Sequence, residues 1–105
     1  MTETSSLAPG HVGVLGGGRM GAGIAHAFLL AGSRVTVVER DADAAQAAAA
    51  RVLEAVDSSI ARGTALAPVE EYRERLATGT DAALFAPCTL VVEAVPEDLA
   101  LKIDA

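Results

Sequence analysis

A chain of 105 residues has the length of one domain, and at this size it buries about 60 to 70% of its unfolded surface, which supports one core with little margin. With 51% hydrophobic residues it reads as folded, whereas 3% aromatics and a net charge of -6 argue against a nucleic-acid partner, since base stacking lacks rings and phosphate neutralisation lacks a basic face. No apolar run reaches the roughly 20 residues of a membrane span, Met1 to Gly10 lacks the basic start and apolar centre of a signal peptide, and the lone Cys88 allows neither an internal disulfide nor a cysteine metal cluster. A cytoplasmic protein without membrane association is the expectation.

Residues 1–10, with Thr, Ser, Pro and Gly, read as a disordered tail. His11 to Leu15 is short, apolar and valine-rich, which fits a buried strand, and Gly16 to Gly18 break it. From Arg19 to Ala31 the residues Met20, Ile24 and Phe28 recur every four positions, as one helix face requires, and Gly32 falls at the expected C-cap. A second valine-rich strand runs from Arg34 to Glu39. Asp41 can then cap a helix whose stripe is Val52, Val56 and Ile60, with Asp43 suiting the positive end of its dipole and an end near Gly63. Pro68 is placed to open another helix, with stripe Val69, Tyr72 and Leu76.

Ala77 to Asp81 is a strand candidate and Ala82 to Ala86 a helical turn. Cys88 reads as a small buried hydrophobe beside the buried strand Thr89 to Val95. Pro96 ends that strand, and a last helix is expected from Glu97, with Leu99 and Ile103 on its apolar face. Strands alternating with helices imply an α/β fold, a doubly wound parallel sheet of the Rossmann type covered on both faces. That face stops at Ala105, so the sheet is expected to be incomplete at its C-terminal end. Residues 11–105 would then be the N-terminal part of a dinucleotide-binding domain in a longer enzyme, with an open edge favouring association.

Gly16, Gly18 and Gly21 satisfy G-x-G-x-x-G, whose spacing serves a tight turn, close backbone approach to a pyrophosphate, and close packing of helix on strand. Here the motif stands between a predicted strand and helix, where free N–H groups and the helix dipole make an anion site. Glu39, at the end of the second strand, can accept hydrogen bonds from both hydroxyls of an adenosine ribose. It would repel a 2'-phosphate by roughly 1 to 4 kcal/mol at about 4 Å, which favours NAD over NADP. Arg40 is the counter-argument, because a guanidinium there could hold that phosphate. Glu93, a carboxylate in an apolar strand, is expected to point into the crevice at the strand's end and to accept hydrogen bonds.

The segment VGVLGGGRMGAGIAHAFLLAG, with Met20, Gly21, Gly23, Ile24 and Ala25 in order, and the segment VVEAVPEDLALK resemble the NAD-binding domain of the 3-hydroxyacyl-CoA dehydrogenases, bacterial 3-hydroxybutyryl-CoA enzymes included. The long helical insertion between the second and third strands is also similar, so the resemblance runs over nearly the whole chain after the tail. It implies reversible oxidation of an L-3-hydroxyacyl-CoA to the 3-ketoacyl-CoA, with hydride passing to NAD, in fatty acid metabolism. Gly16, Gly17, Gly18, Arg19, Met20 and Gly21 would hold the pyrophosphate, Glu39 the adenosine ribose, and Glu97 with Lys102 the nicotinamide side. Arg62 matches a basic position that approaches the CoA.

The resemblance further implies an acyl-CoA substrate and a homodimer formed through a C-terminal domain. The family's catalytic histidine, its carboxylate partner and an active-site asparagine lie beyond the region this chain covers. No catalytic or metal-binding residue is assigned here, and His11 and His26 read as structural. Two alternatives remain open at the level of sequence. One is a related dehydrogenase acting on a hydroxyacyl group borne by a carrier protein; the other is a stand-alone nucleotide-binding module without turnover.

Overall fold

The computed structural model describes residues 10–16, 18–95 and 98–103. The expected tail therefore lies outside the described residues, Gly10 apart. Five strands form one sheet in the order β3-β2-β1-β4-β5. They are β1 (His11–Leu15), β2 (Arg34–Val38), β3 (Leu76–Gly79), β4 (Leu90–Val95) and β5 (Asp98–Ile103). The first four are parallel, and the order 3-2-1-4 makes the Rossmann arrangement expected from the alternating pattern. Three helices accompany them: α1 (Gly18–Ala31), α2 (Ala42–Ala61) and the short α3 (Val69–Glu74).

The core lies between the sheet and the pair α1 and α2. Val12, Val14, Val35 and Val37 meet Ala22, Ala25, Leu29, Val52 and Val56 there, all buried. Burying each valine or leucine side chain is worth about 1.5–3 kcal/mol over leaving it exposed. The stripe on α2 is the one expected. That on α1 is turned by one residue: Gly21, Ala22, Ala25 and Leu29 face inward, Ile24 and Phe28 are half-buried, and Met20 is exposed. Both sets repeat every four residues, and the set with the smaller side chains wins because α1 sits too close to the sheet for large ones. Gly21 shows how close, since a Cβ there would collide with the carbonyl oxygen of Gly16 and stand 3.4 Å from Cγ1 of Val14.

Capping by Asp41 is as expected, its side chain accepting from the N–H of Ala44 at 2.8 Å. The helix that Pro68 opens is shorter than its stripe implied. It ends at Glu74, and Leu76 starts β3 instead, because Arg75 redirects the chain: its carbonyl accepts from the Val35 N–H at 2.8 Å and begins the pairing of β3 with β2. The Arg75 guanidinium donates from Nη1 to the carbonyls of Leu29 (3.1 Å) and Ser33 (3.0 Å) and lies 5.2 Å from the centre of the Tyr72 ring. A cation thus satisfies carbonyls at the negative end of α1. Cys88 is buried, as expected of a small hydrophobe beside β4.

Two expectations are corrected. The helical turn expected at Ala82 to Ala86 is present as the 3-10 turn Ala82–Phe85 in the connection from β3 to β4, and among the described residues it, not a full helix, meets the sheet's second face. That connection, Thr80 to Thr89, is shorter than the dozen residues a helical crossover takes. Phe85 fills the place where Gly13 has no side chain, a Cβ on Gly13 falling 2.5 Å from its ring. The second correction concerns the segment after Pro96, which forms β5 rather than a helix and pairs antiparallel with β4, from Val95 opposite Asp98 to Leu90 opposite Ile103. Leu99 and Ile103 fit a helical spacing, but Leu101 between them makes the apolar pattern alternate, and alternation is the strand's period. The edge of β4, expected to be open, is covered by this strand.

Candidate functional site

At the carboxyl ends of β1 and β2 the chain makes two turns side by side. Gly16 has φ +65° and Gly18 φ +51°, conformations that a side chain resists. The Gly16 N–H donates to the carbonyl of Val38 at 2.9 Å, extending the ladder between the strands and fastening the glycine turn to the residue before Glu39. The Glu39 N–H in turn donates to the carbonyl of Gly79 at 2.9 Å, which anchors it to the end of β3. Glu39 itself is 8% exposed, and no donor among the described residues engages its carboxylate.

Between these turns lies an open groove of about 670 Å³, lined by Gly18, Glu39, Arg40, Asp41, Asp43, Ala44, Ala47 and Arg51. A Cβ built on Gly18 meets nothing within 4 Å, so only the missing side chain keeps that space clear for a ligand. Arg19 and Met20 are exposed in the first turn of α1 and do not line the groove. Gly17 and Glu97 lie outside the described residues. The backbone of Lys102 stands in β5 opposite Val91. Glu93, half-buried in β4, pairs with Leu15 on one side and Ala100 on the other.

The wall formed by Ala47 and Arg51 was not assigned to the site from sequence. Asp43, Ala47 and Arg51 are spaced four apart on a helix that starts just after Glu39, so the spacing itself placed them on one face. The geometry can hold a phosphate diester over the first turn of α1, where N–H groups lack helical partners, and a sugar diol against a single acid at the end of β2.

The family described as 3-hydroxyacyl-CoA dehydrogenase, NAD binding domain, matches residues 11–105. The chain belongs to this family. Its cofactor is NAD, and the groove suits that dinucleotide in having a clear floor at Gly18 and an unengaged carboxylate at Glu39. Among solved structures, M. tuberculosis FadB2 aligns with TM-score 0.76 and 32% identity, over 87% of this chain and 32% of its own. The (S)-3-hydroxybutyryl-CoA dehydrogenase PaaH1 of Ralstonia eutropha gives TM-score 0.75 and 28% identity over 87% of this chain and 32% of that one. The 3-hydroxybutyryl-CoA dehydrogenase of Escherichia coli K12 gives 0.74 and 33%, over 86% and 19%. The chain thus spans a third or less of the length of these structures. A search of curated protein sequences gives no match.

Both histidines of this NAD-binding domain make interior hydrogen bonds. His11 Nε2 is 2.8 Å from Oγ1 of Thr36, and His26 Nε2, on α1, is 2.8 Å from Oγ of the buried Ser59 on α2. Burial, and then the charge of Arg62 at the exposed C-cap of α2, hold His26 below its usual 6.5. The folded protein therefore favours the neutral ring, and just below that value the unfolded chain binds more protons. The stability this contributes is complete above 6.5 and is lost as pH falls towards the lower folded value. Thermal melts between about pH 8 and 5 are expected to show Tm falling on the acid side, with a smaller fall in His26→Gln. Equal falls in the two proteins would exclude this histidine as the cause.

Proposed function

We propose that this chain is the NAD-holding part of an enzyme that interconverts an L-3-hydroxyacyl-CoA and the corresponding 3-ketoacyl-CoA. The observation that carries the reading is the hydrogen bond from Gly16 to Val38, which sets the glycine turn beside Glu39 across one groove. Two of the solved relatives are named as 3-hydroxybutyryl-CoA dehydrogenases, which supports the substrate class. Backbone groups from Gly16, Gly17, Gly18, Arg19, Met20 and Gly21 meet the pyrophosphate in this reading, and Glu39 accepts from the adenosine ribose. Glu97 and Lys102 are assigned to the nicotinamide side on the family resemblance alone.

NAD, when bound, supplies the hydride acceptor. This chain's own residues bind and orient, which removes much of the entropic barrier to a transfer between two held partners. The proton of the hydroxyl needs a general base within hydrogen-bond reach, and the reading puts that base outside residues 11–105, in the remainder of a longer protein. Approach of the CoA to Arg62, a homodimer formed through a C-terminal domain, a cytoplasmic location and a place in fatty acid metabolism belong to the same proposal.

The test is oxidation of NADH by the purified longer protein that carries this chain, with acetoacetyl-CoA, followed by absorbance, and the reverse reaction with L-3-hydroxybutyryl-CoA. Turnover that requires the CoA ester is expected. Tight NADH binding without turnover on any 3-hydroxyacyl-CoA would leave the chain a nucleotide-binding module and defeat the enzyme reading.

A further inference from the structure

The groove carries more charge than recognition of a ribose needs. Three of its lining residues are carboxylates, Glu39, Asp41 and Asp43, and two are guanidiniums, Arg40 and Arg51. Arg40 directly follows the proposed ribose acceptor, and a nearby arginine is what lets a Rossmann site take a 2'-phosphate. In this chain that arginine is engaged: its Nε lies 3.6 Å from Oδ2 of Asp41. The other oxygen of the same carboxylate, Oδ1, accepts from the Ala44 N–H at 2.8 Å in the cap of α2. The cap thus fixes the carboxylate, and the oxygen not used by the cap is held towards Arg40.

We propose that Asp41 is a second determinant of NAD over NADP, acting through Arg40 as a positioning residue. Glu39 excludes the 2'-phosphate directly, by charge. Asp41 withholds the adjacent cation, Arg40, from offsetting that charge. The inference rests on reading the groove as the site of the adenosine end. The ion pair is exposed, with side chains 84% and 56% accessible, so its hold is modest and screened by salt. A change of a few-fold in selectivity is the scale to expect, well below the effect of Glu39 itself.

The experiment titrates the purified protein with NADH and with NADPH at low salt and compares the ratio of the two Kd values. Asp41→Asn keeps a good capping side chain on α2 while removing the charge. It is expected to shift the ratio towards NADPH by about two- to fivefold. Arg40→Ala in the unaltered background is expected to move the ratio less than about twofold, because the guanidinium does not serve the phosphate there. In the double variant the gain disappears. An unchanged ratio in Asp41→Asn, or a gain that survives the loss of Arg40, would overturn the proposal. So would a marked weakening of NADPH by Arg40→Ala alone. Failure of the unaltered protein to bind NADH is a different result, and it would overturn the reading of the groove together with this inference.

Discussion

Gly21→Ala is expected to lower Tm by about 5 to 20 °C through a steric collision that also disturbs the turn. Gly18→Ala, three residues earlier, costs only the strain of its left-handed backbone, about 4 to 16 °C, and in addition weakens NADH binding about 100-fold or more by filling the groove. The two glycines serve different ends. A Cβ on Gly21 would run into the carbonyl of Gly16, a backbone group that cannot rotate aside, and would press on Val14. Alanine gains about 1 kcal/mol of helix propensity over glycine, but overpacking costs about 1–3 kcal/mol, and here the obstacle is the turn itself. Relief requires α1 to move off β1, so binding suffers as well.

At Gly18 a Cβ meets nothing within 4 Å. The cost to the fold there is the left-handed backbone alone, about 1–2 kcal/mol. The Cβ stands, however, in the groove where the pyrophosphate is proposed to approach. Thermal melts and fluorescence titrations with NADH on both variants separate the roles. If Gly18→Ala bound NADH as well as the unaltered protein, the phosphate would have to be placed elsewhere.

The distinction between these glycines was legible in the motif, and so was most of the frame around it. His11 to Leu15 and the valine-rich second strand carry runs that only a doubly covered strand explains, and Asp41 announces α2 by its cap. What could not be read were choices between patterns of equal period. Met20, Ile24 and Phe28 repeat every four residues, but so do Gly21, Ala25 and Leu29. Periodicity gives the angular spacing of a face, while the distance between helix and sheet decides which face goes inward. Size was the deciding signal, and Gly21 supplied it.

The segment after Pro96 failed for a related reason. Leu99 and Ile103 satisfy the helical spacing, Leu101 satisfies the strand's, and the partner that settles the matter is β4, distant from neither but invisible to a local count. Chain length hides a different kind of information. The connection from β3 to β4 is too short for a helix, and Phe85 can cover the second face there only because Gly13 leaves room for its ring. That complementarity joins residues far apart in sequence and is seen only once β1 and the 3-10 turn are side by side. The acid at the end of β2 lay at the opposite extreme: its position relative to Gly21 was readable directly, and so was its chemistry.

Glu39→Ala should accordingly give the largest change in selectivity that this chain can show. Charge-assisted hydrogen bonds to a ligand hydroxyl are worth about 1.5–3 kcal/mol, so NADH binding is expected to weaken about 10- to 150-fold. NADPH loses nothing of that kind and is relieved of roughly 1 to 4 kcal/mol of repulsion between the carboxylate and its 2'-phosphate. The preference for NADH therefore narrows from both sides, and Kd values for the two cofactors measure it. Stability provides the second readout. Glu39 is 8% exposed, no described residue donates to its carboxylate, and no buried side-chain oxygen among the described residues lacks a partner, so its carboxylate opens to the water of the groove and holds no contact of the fold. Removing it is expected to leave Tm nearly unchanged, the pattern of a side chain kept for binding and not for the fold. A drop in Tm alongside parallel losses for both cofactors would mark Glu39 as a structural residue of the β2 end and defeat its role at the ribose.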